Sequence, residues 1–257
     1  PIREFRLEGN DVAWDLALHP DGQVLVAATD RGIGVFPLDP QTTVGSLLAK
    51  VNGETLAGSA PRTAARLSSG EETDRFFFVP PPPVTAEKKT LILRGQTRFG
   101  QAGMFHSVRF SPQGKILACG AVNGRIVLIS WPQLEPLIQV REFQDPVLSI
   151  DFSRDGNLVA AAAAGNVWLY NLTSKQSRYL RDVHFHAIRT VQFSQDGRRL
   201  LTTAEDYTAK VWDVRSLGQS HRLAAHTGYA VYGVFSSDGR SVYTASQGIL
   251  NAWDLEK

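Results

Sequence analysis

The side chains able to do chemistry are few. His184-Phe185-His186 puts two imidazoles on one side of an extended segment, the beginning of a metal pair. No third ligand lies nearby in the chain, and zinc sites need at least three protein ligands, so His184 reads as a structural residue and His186 as a solvated one. Ser68-Ser69-Gly70 offers hydroxyls but no Gly-x-Ser-x-Gly elbow to sharpen one into a nucleophile. A phosphate cradle of the form Gly-x-x-x-x-Gly-Lys is absent from the sequence. Asp21, Asp155, Asp196 and Asp238 resemble a carboxylate set until their setting is compared. Each belongs to the same kind of turn in a different stretch, which spreads them apart and argues against shared acid–base work. Asn171-Leu172-Thr173 matches a glycosylation acceptor, which carries little meaning without a visible secretory signal. The expectation is no enzyme, no cofactor and no metal.

The elements that hold these residues repeat. From His184 to Asp213, Ile188, Val191 and Phe193 alternate with polar residues up to the turn Gln195-Asp196-Gly197. Leu200 to Thr203 form a second run, Glu205-Asp206-Tyr207 a second turn, and a third run ends at Trp212. Period-two patterning cut by turn residues predicts an antiparallel meander. The turn residue recurs at Gly22, Thr63, Gly114, Gly156, Gly197 and Gly239, with Thr63 the weakest member. The end of the third strand recurs at Phe36, Phe78, Ile129, Tyr170, Trp212 and Trp253. A period of about 40 residues with four short strands per unit predicts a β-propeller. Outer strands are expected at Ser46–Ala49, Leu137–Val140, Ser177–Leu180 and His221–Ala225. Ala160–Ala164 would favour helix by propensity alone, but its neighbours set it in a strand.

These residues resemble the WD-repeat family over nearly the whole chain. The fifth unit matches that family's structural tetrad at His184, Thr202, Asp206 and Trp212, and Trp212-Asp213 and Trp253-Asp254 match its naming dipeptide. The histidine slot holds Gly9, Lys50, Gln101 (or Gln96) and Phe143 in other units, and only His226 repeats it. Most blades must therefore be held by packing. The expected fold is all-β, a six-bladed propeller of four-stranded antiparallel blades forming one domain over residues 1–257. Arg3–Leu7 is expected to be an orphan outer strand that completes the last blade and closes the ring. The same arithmetic suits six units within a longer array, and an open arc completed by a partner strand or blade stays as an alternative. Pro1 without a preceding Met suggests a fragment of a longer protein.

Composition is that of an ordinary globular protein: 43% hydrophobic and 20% charged. The net charge of +2 gives no push toward nucleic acid or an anionic membrane. One cysteine, Cys119, rules out an internal disulfide and fits the cytoplasm or another reducing compartment. No run approaches the roughly 20 apolar residues that span a bilayer. Pro80–Lys89 is the obvious insertion, either a solvated spacer or a ligand for a proline-reading partner. Lys88, Lys89, Arg94 and Arg98 form a small basic cluster consistent with a wet surface.

The family resemblance implies a binding face around the central channel. Positions five past the histidine slot should ring its entrance: Trp14, Thr55, His106, Leu148, Arg189 and Val231, with Tyr207, Tyr229 and Tyr232 adding aromatic anchors. Aromatics and arginine at a concave centre suit a hot spot for a protein or peptide, while Trp14 and Tyr232 as internal packing is the plainer reading. The function expected is a non-catalytic interaction scaffold within a larger signalling or assembly protein. A propeller hydrolase or metal-dependent enzyme is the alternative, and a channel list with one histidine and no carboxylate speaks against it.

Overall fold

Alternating strands and glycine turns do produce radial sheets. The computed structural model describes residues 12–30, 32–38, 91–93, 104–133, 136–224 and 226–256. Blade A contains β1 (Ala13–Leu18), β2 (Val24–Thr29), β3 (Gly32–Pro37) and β4 (Leu91–Leu93). Blade B contains β5 (Phe105–Phe110), β6 (Ile116–Ala121), β7 (Arg125–Ser130) and β8 (Pro136–Arg141). Blade C contains β9 (Val147–Phe152), β10 (Leu158–Ala163), β11 (Asn166–Asn171) and β12 (Gln176–Leu180). Blade D contains β13 (Ile188–Phe193), β14 (Arg199–Ala204), β15 (Ala209–Asp213) and β16 (Gln219–Leu223). Blade E contains three strands among the described residues: β17 (Ala230–Phe235), β18 (Ser241–Ser246) and β19 (Ile249–Asp254). Neighbouring strands pair antiparallel throughout.

The first turn of each blade explains why glycine recurs. Gly22, Gly114, Gly156, Gly197 and Gly239 all sit at φ between +68° and +74°, the left-handed region that glycine enters without steric cost. In three of these turns the preceding aspartate finishes the job. Asp155, Asp196 and Asp238 accept from the hydroxyls of Ser153, Ser194 and Ser236 and from the amides of Asn157, Arg198 and Arg240. Those serine bonds are the leading cause holding each carboxyl below its ordinary range. The aspartates form turns.

The core lies between blades. Ala17, Val24, Val26 and Ala28 of blade A pack with Val108, Phe110, Leu117 and Cys119 of blade B. Ile126 and Leu128 meet Trp168 and Ala161 at the B–C joint. Ala160 and Ala162 meet Val191 and Leu200 at the C–D joint, and Val211 meets Val242 at the D–E joint. Residues 158–163 are strand, as the neighbouring register demanded, and Ala160–Ala163 are fully buried on both faces. Their small side chains let blades B and D approach from either side.

One expectation is corrected. The first blade's outer strand is Leu91–Leu93, paired to β3 as Ile33↔Leu93 and Val35↔Leu91, and not Ser46–Ala49. Blades A and B are direct neighbours: Val108 donates its amide to Asp15 Oδ2 at 3.0 Å, and His19 Nε2 lies 3.0 Å from the Gly114 carbonyl oxygen. The described strands form five blades. The unit of Glu54–Phe78, with Thr55, Thr63 and Ser68–Gly70, lies outside the described residues. So do the expected closing strand Arg3–Leu7, the slots at Gly9, Lys50, Gln96 and Gln101, and the stretch Pro80–Lys89 with its basic neighbours. Blade C's outer strand falls as read, and blade D's is displaced to Gln219–Leu223.

Candidate functional site

Each first strand carries a β-bulge. The pairing register slips between Ala13 and Asp15, Phe105 and Ser107, Ile188 and Thr190, and Ala230 and Tyr232 on the first strands. In blade C the slip is opposite Val147. The extra residues are Trp14, His106, Leu148, Arg189 and Val231, the very positions expected to ring the channel. A bulge leaves its residue out of the ladder and re-aims it, which is how Trp14, His106, Leu148 and Arg189 come to face a common hollow.

Trp14, His106, Leu148, Arg189 and Tyr232 line a single cavity of about 290 Å³. Asp15, Arg109, Ser149, Asp151 and Gln192 complete its polar wall. Trp14 donates Nε1–H to Asp30 and tilts against His106 with ring centres 4.6 Å apart. Burial, and then the charge of Arg189, lower the His106 pKa, with Asp30 opposing them, so His106 is neutral near pH 7. Arg189 is aimed by Glu205, to which its Nε donates at 2.7 Å.

The carboxylates here were missed from the sequence. Asp151 takes the amide of Phe193 at 2.8 Å, and burial pushes its pKa up to about 6 despite that bond and the Arg109 charge. Asp15 takes the amide of Val108, and Gln192 Oε1 takes that of Phe235 at 2.9 Å. Innermost strands have one unpaired edge, and a polar side chain from the preceding blade satisfies it. The signal was present: a polar residue at an inward strand position whose only available donors belong to the neighbouring repeat.

Tyr207 and Tyr229 do not reach the cavity wall. They stack on each other at its rim, ring centres 5.6 Å apart and 12° from parallel, on the β14–β15 and β16–β17 loops. The structure therefore divides the expected face into a hub group and a rim pair.

The expected tetrad is connected. Trp212 Nε1 donates to Thr202 Oγ1 at 2.9 Å, Thr202 Oγ1 lies 2.7 Å from His184 Nε2, and His184 Nδ1 lies 2.9 Å from Asp206 Oδ2. Burial lowers the His184 pKa against the pull of Asp206. Burial alone would raise Asp206, but bonds from Thr208 and the charge and bond of His184 leave it lowered. Blade E holds half of this relay. Trp253 and His226 meet at Thr244 Oγ1, and the turn that would supply the carboxylate is Gln247-Gly248. His226 Nδ1 turns instead to the Tyr207 carbonyl of blade D at 3.1 Å. His184 is thus engaged within its blade, and among the described residues no three His, Cys, Asp or Glu side chains gather as a metal site.

The family model described as "WD domain, G-beta repeat" matches residues 136–171, 177–213 and 218–254. Each match joins the outer strand of one blade to the first three of the next, so the sequence repeat is offset from the structural one by a strand. The chain carries three WD repeats. Periodic tryptophan protein 2 of Saccharomyces cerevisiae is 28% identical over 166 residues, covering 59% of this chain and 18% of that protein. The U3 small nucleolar RNA-associated protein 15 homolog of Xenopus laevis is 27% identical over 136 residues, 52% of this chain and 26% of its own length. Human apoptotic protease-activating factor 1 is 24% identical over 161 residues, 62% of this chain and 13% of its own length. The matched stretch therefore spans about a quarter or less of these WD-repeat relatives. No helix among the described residues is long and apolar enough to cross a membrane.

Proposed function

We propose that this WD-repeat chain is a non-catalytic scaffold that holds a peptide or partner domain at the hub cavity. The observation that carries the reading is convergence: four blades each contribute one bulged side chain to one hollow, Trp14, His106, Leu148 and Arg189, and Tyr232 comes from the fifth. Half-exposed aromatics beside an aimed arginine are the composition of binding hot spots. Asp15 and Asp151 are spent on neighbouring amides, which leaves neither placed as a general base. A reducing compartment such as the cytoplasm suits the buried Cys119 thiol. The test is recovery of partners by the full chain against a Trp14→Ala/Arg189→Glu variant of matched thermal stability. Loss of the partners recovered by the wild type is expected, and equal recovery overturns the cavity as the site. Retardation of RNA or DNA by the full chain at low salt would replace a protein partner with a nucleic acid.

We also propose that the arc is completed in the assembled protein. Leu16 and Leu18 on blade A and Tyr243 on blade E are exposed apolar side chains, where the blades between them bury their equivalents. Among the described residues blade E holds three strands, and a fourth would fit beside β19, with Arg3–Leu7 as the segment the sequence offers and a partner's strand or blade as the other.

A further inference from the structure

The outer strands of the blades are alike in backbone and differ in charge. In blade D, β16 pairs with β15 so that Arg222 stands directly opposite Lys210. The matching pair is Tyr179 and Trp168 in blade C, and Gln139 and Val127 in blade B. Like charges directly opposite on neighbouring strands destabilise a sheet. Burial lowers the Lys210 pKa, the Asp206 charge opposes that, and the charge of Arg222 lowers it further. Lys210 Nζ donates to the Val183 carbonyl, and Asp206 is already committed to His184, Thr208 and the Phe185 amide. Arg222 is exposed and, among the described residues, makes neither a hydrogen bond nor an ion pair.

Strand β16 is also an edge. It ends the order β13-β14-β15-β16, so the side of Gln219–Leu223 away from β15 carries no strand among the described residues. Cationic side chains on an edge strand commonly ward off a further strand. A guard needs no second cation opposite it, however. Here Thr202, Lys210 and Arg222 form a row across successive strands, and its next place lies on the open side. A residue set there by an added strand would face Arg222 as Arg222 faces Lys210. A carboxylate in that place would turn a repelling pair into a compensated row. Nucleic acid is the poorer match, since two opposed cations and a net charge of +2 provide few phosphate contacts.

We propose that the open edge of β16 takes an extended acidic segment of a partner protein as a fifth strand of blade D, with its carboxylate opposite Arg222. The proposal rests on the scaffold reading but not on the hub cavity. The test titrates three acetylated eight-residue peptides into the full chain and follows backbone amide NMR shifts. The peptides alternate valine and threonine around a central glutamate, glutamine or lysine. The glutamate peptide is expected to move the amides of Gln219–Leu223 and to bind about three- to fivefold more tightly than the glutamine one. Arg222→Glu, which sets a carboxylate opposite Lys210, is expected to keep or raise Tm and to prefer the lysine peptide. Proline at alternate positions of the glutamate peptide is expected to abolish binding, because it removes the amides a strand must donate. No binding of the glutamate peptide, equal binding of all three, an unchanged order in Arg222→Glu, undiminished binding of the proline peptide, or shifts centred on another strand would overturn the proposal. Binding of poly(U) RNA at low salt that Arg222→Glu abolishes, without peptide binding, would reassign the edge to nucleic acid. Because the peptides are added directly, their failure leaves the hub reading standing. A Trp14→Ala/Arg189→Glu variant that still takes the glutamate peptide while losing its partners supports the edge as a separate site.

Discussion

Blades C and D are adjacent, similar in strand length and turn, and held by different physics. Blade D closes around a buried relay from Trp212 through Thr202 and His184 to Asp206, in which each bond has a direction and a required protonation state. Blade C has Phe143 in the histidine slot, four buried alanines, and a fully buried Trp168 whose only recorded polar bond is to Ser177. The relay specifies one arrangement of loop and strand, while the alanine slab asks only that large neighbours fill the space it leaves. A propeller therefore tolerates loss of its polar signature in a blade wherever close packing takes over.

The sharpest way to break this comparison is Trp168→Ala, which empties the B–C joint and is expected to cost about 3–5 kcal/mol, read as a fall in denaturation midpoint at constant m. If the variant loses less than about 1 kcal/mol, packing is not what holds blade C. Next comes Asp206→Ala, which strips acceptors from His184, Thr208 and the Phe185 amide and is expected to cost about 1–3 kcal/mol. It should also steepen the acid limb, because Asp206 opposes the burial that lowers His184. With His184 lowered, blade D's contribution is present above the ordinary histidine pKa of about 6.5 and lost as pH falls below it. An unchanged pH profile would take the relay out of blade D's stability.

The smallest expected effect has the opposite sign and belongs to blade C. Asp151 is raised to about 6, so the folded chain holds its proton where the unfolded chain has released it, and stability falls as pH rises from about 4 through 6. Asp151→Asn keeps an acceptor for the Phe193 amide and removes the ionisation. Its Tm should exceed wild type at pH 7.5, by an amount corresponding to about 1–2 kcal/mol, and match it at pH 4. A variant that is less stable at pH 7.5 would show that the carboxylate charge, rather than an acceptor alone, holds the C–D joint.

The strand triplets and turn glycines were legible because each is set by residues within a few positions of one another. The bulge positions were legible too, through their fixed offset from the histidine slot, and four of them, Trp14, His106, Leu148 and Arg189, line one cavity. The error at blade A came from a non-local fact. Ser46–Ala49 stands where the repeat spacing expects an outer strand, yet nothing local says whether β3 pairs there or with Leu91–Leu93. Leu93 precedes Gln96 by the same three positions as Leu223 precedes His226, a hint that favours the later strand. Asp15 and Asp151 escaped for a similar reason, since their partners are amides of a different blade. Tyr207 was chosen for its ring, and only the backbone, at φ +66°, shows that its conformation is one that glycine would fill.

The pairing of β3 with β4 has a consequence for how this protein can vary. Val35 sits opposite Leu91, so the two ends of residues 39–90 leave from adjacent strands of a sheet already stitched to blade B. For any connection between fixed ends, closure entropy grows slowly with length, by about 0.6 kcal/mol per doubling. Blade A is thus a natural port for grafting: a tag, a sensor or a whole foreign domain could be threaded through that doorway, or the passage shortened to a tight hairpin, with β1 to β3 left in register.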